Sequence, residues 1–440
     1  MEESFGRKRK GVFYGWWIVA VSAFFNLIVG GTFMYGFTAF FTPLQQEFGW
    51  TSAQTALGFS LQRLEGGIAA PLIGFIFDRV GPRKLALIGM AIAGGGLIFM
   101  SRIESLPAFY AAFLMTAVGV SIGWAGPPMY AVSNWFVRKR SRALSYLMAG
   151  VHLGGIIVPV LVLLIAGLGW RTSLVIAGIT FWLVGIPVTI MLRRRPEDMN
   201  LLPDGDVRTE ADRIRETETL QTEMRVTTQT RQSADFSALD ALSSRAFWFI
   251  AFSFTLVQLV SSAIMVLEMP HLENIGISRE LAGVAVTFTT MMGFVGSLSS
   301  GFVGDRMNKT RIIAFFLMLQ CLGVVILSLA NQPWHLVPFV IAYGIANGAV
   351  MPMRTALIAD YFGRKSLGTI LGFMMSFTVT GSILSPVVAG WFFDIYGNYR
   401  TIFIIYAVMM AFAVPALLAV KRPVLKSELP APTMPDKTGS

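Results

Sequence analysis

The chain has 440 residues, of which 54% are hydrophobic and only 14% charged, and its formal net charge is +10. Soluble chains carry about 25% charged residues, so this composition excludes a water-soluble protein of this size and predicts an integral membrane protein. Three separated histidines and one cysteine, Cys321, form no metal-ligand cluster and no catalytic pair, so we predict no metal, no cofactor and no enzyme activity.

Apolar runs long enough to cross about 30 Å of hydrocarbon follow one another along the whole chain. Predicted spans 1 to 6 cover residues 13–37, 54–77, 83–100, 107–133, 142–168 and 172–192, and spans 7 to 12 cover 246–267, 281–303, 312–330, 336–360, 367–393 and 401–420. Backbone amides that face lipid must be paired within their own segment, so each span is predicted to be a helix. The fold class is therefore an all-α membrane protein with twelve transmembrane helices.

Basic residues gather on one side of this arrangement, which we call the terminal face because an even number of spans puts both chain ends there. Of the 35 Lys and Arg residues, 29 lie on the terminal face, whereas the loops of the opposite face hold only Arg102, Arg171, Arg279 and Arg400. Cytoplasmic loops are enriched in basic residues. We therefore expect a multi-pass protein of the cytoplasmic (inner) membrane with both termini in the cytoplasm, and the positive charge indicates orientation rather than a nucleic-acid partner.

Residues 193–245 interrupt the apolar pattern. Arg, Glu, Asp, Thr and Gln dominate this segment, which has too little apolar surface to order itself, although residues 235–244 fit a short surface helix. The predicted organisation is a basic N-terminus (1–12), a six-helix bundle (13–192), a cytoplasmic linker (193–245), a second six-helix bundle (246–420) and a cytoplasmic tail (421–440).

The two predicted bundles repeat each other at an offset of 227 residues. This offset relates Gly49 to Gly276 and Pro159 to Pro386, and it aligns two loop motifs, Gly74-Phe-Ile-Phe-Asp78-Arg79-Val-Gly81-Pro-Arg83-Lys84 and Gly301-Phe-Val-Gly-Asp305-Arg306-Met-Asn-Lys309. Internal repeats of this kind build transporters whose halves are related by an axis along the membrane normal. We predict a substrate site at the interface of the halves, near the midplane.

The first loop motif resembles the signature of the major facilitator superfamily. With the repeat and the long central linker, the resemblance covers the whole chain and implies two rocking bundles. It also implies that Asp78, Arg79, Arg83, Asp305 and Arg306 form a gate by contacting helix ends across the halves. The alternative is that these charges only set the topology.

A finer resemblance is to the bacterial relatives of monocarboxylate and oxalate/formate transporters. It rests on Tyr14-Gly-Trp-Trp17 at the start of span 1 and on Trp135-Phe-Val-Arg-Lys-Arg140 leading to Gly150. It implies transport of a small organic anion by proton symport or anion exchange. Many of those relatives carry a histidine and an arginine where this chain has Leu267 and Ser297, so the charges of the site must come from other positions.

Two arginines, Arg63 and Arg354, lie inside predicted spans, away from the span ends. A charge inside the membrane is costly and is expected to be paired or functional, so we predict that Arg63 or Arg354 attracts a carboxylate. The predicted hydrogen-bonding partners of that anion are Asn347, Tyr343, Tyr130 and Asn26. Asn347 and Arg354 are seven residues apart and share a helix face.

Glu65 is the predicted proton-coupling or gating carboxyl, because burial favours the neutral form of a carboxyl. The alternative is a structural ion pair between Glu65 and Arg354. The predicted function is thus secondary active transport of a small organic anion, a monocarboxylate, by a monomer in contact with lipid, with protons as a further partner if it is a symporter. Two other functions remain open: export of drug-like or other organic solutes, and membrane sensing without transport on a transporter scaffold.

Overall fold

The computed structural model describes residues 13–80, 82–125, 127–136, 139–191, 193, 196–199, 201–205, 238–304, 308–362 and 367–420. These residues form helices joined by short loops, with no strand among them. This confirms the predicted all-α fold. The termini 1–12 and 421–440, and most of the linker, lie outside the described residues.

The first half contains spans 1 to 6, several of which bend at irregular turns. Their helical segments are Tyr14–Val29, Gly30–Tyr35 (π), Gly36–Phe40 (3₁₀) and Phe41–Phe48 for span 1; Ser52–Val80 for span 2; Pro82–Met100 for span 3; Leu106–Val120, Ser121–Ala125 (π) and Pro127–Trp135 for span 4; and Arg140–Leu153, Gly154–Ile156 (3₁₀) and Ile157–Met191 for spans 5 and 6. Gly169 breaks the last segment, since its φ of 79° is not helical. Spans 5 and 6 therefore turn about this glycine.

The second half contains spans 7 to 12, preceded by a short helix where the sequence predicts one. The segments are Ala238–Ser243; Arg245–Asn274 for span 7; Arg279–Gly304 for span 8; Lys309–Leu329 for span 9; Pro333–His335 (3₁₀) and Leu336–Phe362 for span 10; Leu367–Tyr396 for span 11; and Arg400–Ala411 with Ala413–Leu418 for span 12. The Ser244 hydroxyl caps span 7 by accepting from the Phe247 amide at 3.2 Å.

The number of membrane-crossing helices agrees with the sequence. Within the described residues, 10 helical stretches are long and apolar enough to cross a membrane. One of these, Ala143–Met191, contains the break at Gly169 and so supplies two spans. The remaining span is the helix Ser52–Val80, whose side chains are described only in its first part and which carries Arg63 and Glu65.

Backbone geometry supports the internal repeat. Gly49 and Gly276, which the 227-residue offset pairs, adopt φ values of +66° and +88° at the ends of spans 1 and 7. A left-handed residue is a common way to end a helix, and glycine adopts it without steric cost. Spans 1 and 7 therefore end in the same type of turn.

The halves meet along three pairs of helices: spans 2 and 11, spans 5 and 8, and spans 1 and 7. Spans 2 and 11 approach most closely at Gly390, where an added Cβ would lie 2.7 Å from the Ser52 carbonyl carbon and the Ala53 amide nitrogen. Thr287 of span 8 donates to the Gly155 carbonyl of span 5 at 2.7 Å. Thr38 of span 1 donates to the Val266 carbonyl of span 7 at 3.0 Å.

Candidate functional site

A buried polar cluster lies inside the second half, where spans 7, 9 and 10 meet. Gln320 donates from Nε2 to the Ser261 hydroxyl at 2.9 Å and to Asn347 Oδ1 at 3.3 Å. Ser261 in turn donates to Asn347 Oδ1 at 3.2 Å. Tyr343, one helical turn before Asn347, is also buried. The carbonyl of the predicted ligand Asn347 is thus held by neighbours on two other helices.

Arg354 continues this cluster toward the terminal face. A cavity of about 10 Å³, the size of one water molecule, is lined by Phe254, Val257, Gln258, Ser261, Asn347, Val350, Met351 and Arg354. The guanidinium carbon lies 5.7 Å from the centre of the Phe254 ring, and the buried Nε has no hydrogen-bond partner. Asn347 and Arg354 therefore line one cavity, as their spacing predicts.

Arg63 lies at the interface between the halves. It is about 16 Å along the helix axis from Ser52 at 1.5 Å per residue, near the middle of the membrane. Its guanidinium donates to the sulfur of Met265 in span 7 at 3.1 Å. Among the described residues, neither Arg63 nor Arg354 has a carboxylate within 4 Å. The alternative ion pair between Glu65 and Arg354 is absent in this arrangement.

Glu65 and Arg63 face different neighbours, as their spacing of two residues predicts. Glu65 Oε2 accepts from the Ser121 hydroxyl of span 4 at 2.9 Å, and its buried Oε1 has no partner. Glu65 therefore contacts its own half, whereas Arg63 reaches across the interface.

The other predicted site residues are not gathered around this cavity. Asn26 links spans 1, 4 and 5, because it donates to the Leu147 carbonyl at 2.7 Å and accepts from the Trp124 indole at 2.6 Å. Arg83 is exposed. The described part of the structure does not include the side chains of Tyr130, Asp78 and Arg79. It does not include any part of Asp305 and Arg306. The predicted roles of these five residues therefore stay predictions.

Three polar residues of the second half were not predicted from the sequence: the buried Gln320 and Glu268, and the half-buried Ser261. The signal for Ser261 and Gln320 was a polar side chain within an apolar run. Glu268 was missed because span 7 was predicted to end at Leu267, whereas the helix continues to Asn274. Glu268 is 4% exposed, and its Oε1 accepts from the Thr289 hydroxyl at 2.9 Å.

Comparison with known proteins places this arrangement in a family. The family model described as Major Facilitator Superfamily matches residues 20–272 and 247–438, nearly the whole chain. The chain belongs to the Major Facilitator Superfamily. This confirms the resemblance seen in the loop motif, and the protein is a membrane transporter rather than an enzyme.

Individual relatives of this major facilitator protein agree with that result. Monocarboxylate transporter 12 of Rattus norvegicus is 25% identical over 416 residues, which cover 91% of this chain and 84% of the relative. The MFS transporter asaE of Aspergillus flavus is 27% identical over 331 residues, covering 73% and 66%. A bacterial homologue of the human lysosomal transporter Spinster, solved in an inward-facing, unoccupied conformation, has the same fold, with a TM-score of 0.66, 15% identity and coverage of 94% and 95%.

The two halves of this transporter are closed against each other on the opposite face. Asp394, at the end of span 11, accepts from the backbone amides of Ser52 and Ala53 at the start of span 2, at 2.7 and 3.0 Å. The Tyr399 hydroxyl lies 3.4 Å from the Ser52 hydroxyl. Further contacts between the halves continue inward to Ser60 and Arg63. The opposite face is therefore sealed from its surface to about the midplane.

Proposed function

We propose that this chain is a secondary active transporter that moves a small organic anion, specifically a monocarboxylate, by alternating access. The observation that carries the proposal is the pair of arginines inside the spans that have no carboxylate partner among the described residues. Arg354 lines a cavity with Asn347 and has a free Nε, and the one described hydrogen bond of Arg63 goes to the thioether of Met265. Buried guanidinium groups bind carboxylates through charge-assisted hydrogen bonds.

Two further observations support this substrate class. Similarity to proteins named monocarboxylate transporters extends over about nine tenths of the chain. The cavity has amide and hydroxyl groups beside the arginine, and these can orient a carboxylate once the guanidinium has attracted it.

Orientation and coupling belong to the same proposal. We place the terminal face in the cytoplasm, since 29 of the 35 basic residues lie on it. Reporter fusions at the C-terminus test this orientation, because a fluorescent protein fluoresces in the cytoplasm and alkaline phosphatase is active only outside it. A cytoplasmic C-terminus should therefore give a fluorescent fusion and an inactive phosphatase fusion. Coupling is by proton symport or by anion exchange, and the two differ in whether a pH gradient drives accumulation.

Ligand-induced thermal stabilisation tests the substrate class. Ligands that bind the folded protein raise its unfolding temperature, so the purified protein is screened against short monocarboxylates, sugars, amino acids and cationic drugs at two pH values. Stabilisation by monocarboxylates is expected, and it should be lost in Arg354→Gln and Arg63→Gln. Stabilisation by cations alone would overturn the proposal, as would unchanged monocarboxylate affinity in both variants.

A further inference from the structure

Glu268 lies on the same helix face as the candidate substrate site. Ser261, Met265 and Glu268 are spaced by four and three residues along span 7, so they line one side of this helix. Ser261 belongs to the polar cluster, and Met265 accepts from Arg63. Glu268 is therefore one turn from the group that Arg63 contacts, and about 10 Å along the axis from Ser261.

The surroundings of Glu268 do not stabilise a permanently charged carboxylate. It is 4% exposed, and among the described residues no basic nitrogen lies within 4 Å of it. Its one described hydrogen bond comes from the neutral hydroxyl of Thr289. An isolated buried carboxylate is costly, so this side chain is stable either with a proton or with a cation beside it.

The titratable and charged groups around Glu268 leave one cation that can reach it. Tyr343 of span 10 interacts with it electrostatically, and Tyr35 of span 1 interacts with Tyr343 and Arg63. The ring of His152 in span 5 lies by Gly293, one turn from Thr289 along span 8. Toward the opposite face, Arg279 pairs with Glu273 and donates to the Ala39 carbonyl, and Glu280 also interacts with Arg279. His271 on span 7 contacts the Leu327 carbonyl. Two cations, Arg63 and Arg354, have no carboxylate partner among the described residues. Arg63 contacts span 7 at Met265, one turn from Glu268, whereas Arg354 lines the cavity beside the earlier part of span 7, from Phe254 to Ser261.

We propose that Glu268 is the binding site of the coupling proton and that its carboxylate competes with the substrate carboxylate for Arg63. When Glu268 is protonated, Arg63 is free to hold the substrate. When the proton leaves to water and the substrate has dissociated, Arg63 pairs with the Glu268 carboxylate and neutralises it. This inference rests on the proposed function and specifies its coupling ion, so that one proton moves with one monocarboxylate.

Glu65, which the sequence predicts as the proton-coupling or gating carboxyl, is the competing candidate, and the present proposal assigns the proton to Glu268 in its place. Both are carboxyl groups inside a span that accept a hydrogen bond from a hydroxyl, Ser121 for Glu65 and Thr289 for Glu268. Glu65 differs in position, because it contacts span 4 of its own half and does not share a helix face with Arg63. Neutralising Glu65 should therefore leave coupling unchanged.

Transport by the reconstituted full chain tests the proposal, with radiolabelled lactate as the probe. The wild type should accumulate lactate when protons flow inward and should also exchange lactate at equal pH. Glu268→Gln, which imitates the protonated form, should keep the exchange rate and lose gradient-driven accumulation by about tenfold or more. Glu268→Asp retains a carboxyl and should retain accumulation, and Glu65→Gln should retain both activities.

Accumulation by Glu268→Gln at the wild-type level would overturn the proposal, and so would loss of exchange in a variant that elutes as a folded protein. A second measurement needs no substrate: the infrared band of a protonated carboxyl, followed as a function of pH. The band should titrate in the wild type and in Glu65→Gln, shift in Glu268→Asp and vanish in Glu268→Gln. If the wild type moves no lactate, the proposed function fails for monocarboxylates, and the infrared band then decides about Glu268 separately: a band unchanged by substitution of Glu268 overturns its assignment as the proton site.

Discussion

Replacing Asp394 by alanine is expected to open the opposite face of the transporter. The first four amides of a helix have no partner within it. At the start of span 2, the Gln54 amide donates to the Thr51 hydroxyl at 3.1 Å, and the Thr51 amide donates to the Gln54 side-chain oxygen at 3.0 Å. Two of the four amides are thus satisfied locally. Asp394, from the other half, satisfies the amides of Ser52 and Ala53. This carboxylate therefore caps span 2 only when the halves are closed on the opposite face.

The size of the effect follows from the exposure of the contact. Asp394 is exposed, so its loss lets water reach the two amides, and each hydrogen bond is worth about 0.5 to 1.5 kcal/mol. Its negative charge near a helix N-terminus adds about 0.3 to 1 kcal/mol. Together they favour the closed opposite face by about 1.3 to 4 kcal/mol, which corresponds to a population shift of about 9- to 900-fold. Asp394→Asn keeps an acceptor and should shift the populations less, by about fivefold.

Distances between two spin labels across the opposite face measure these populations. Glu104 in the first half and Val337 in the second are exposed positions for the labels, and the free thiol of Cys321 is first replaced by serine. The ratio of long to short distances should rise in the order wild type, Asp394→Asn, Asp394→Ala. Asp360→Asn is the matched control, since Asp360 pairs with Lys309 at 2.6 Å within the second half. An unchanged ratio in Asp394→Ala, or a larger shift in Asp394→Asn than in Asp394→Ala, would show that the Asp394 carboxylate does not hold the opposite face closed.

Three other outcomes follow from the described contacts. Arg354→Gln should weaken monocarboxylate binding by about tenfold to a hundredfold, because a charged hydrogen bond is worth about 1.5 to 3 kcal/mol; calorimetry measures it. Gln320→Leu removes both donors to Ser261 and Asn347 and should weaken the same binding severalfold without touching Arg354. Gly276→Ala places a side chain at a φ of +88° and should lower the free energy of unfolding by about 1 kcal/mol or more, which lowers the unfolding temperature in detergent. Gly372→Ala is the control, because Gly372 is helical with open space around it, and this substitution should not lower the unfolding temperature.

The fold was predictable because its signals are local or repeated. A span needs about 20 apolar residues whatever its neighbours are, and the repeat fixes the pairing of Gly49 with Gly276 from sequence alone. The end of span 7 was not predictable in this way. Glu268, Pro270 and His271 resemble a loop in the sequence, but Glu268 and His271 each have a hydrogen-bond partner, on spans 8 and 9, and the helix continues to Asn274.

The candidate site was predictable only along a single helix. The seven-residue spacing of Asn347 and Arg354 placed both on one face, and both line the described cavity. Ser261 and Gln320 join Asn347 only through the packing of spans 7, 9 and 10, which hydrophobicity along the chain does not encode. The contact between Arg63 and Met265 depends in addition on how the two halves meet.

This last contact gives the two arginines different parts in alternating access. The described contacts of Arg354 lie within the second half, so it moves together with its cavity when the halves rock. Arg63 belongs to the first half but contacts Met265 in the second, and opening of the opposite face separates them. A ligand shifts a conformational equilibrium only by binding one state more tightly than the other. In the proposed function, an anion held by Arg354 would gain Arg63 as a second partner only while the halves are closed above it, and this difference would let substrate binding drive the conformational change.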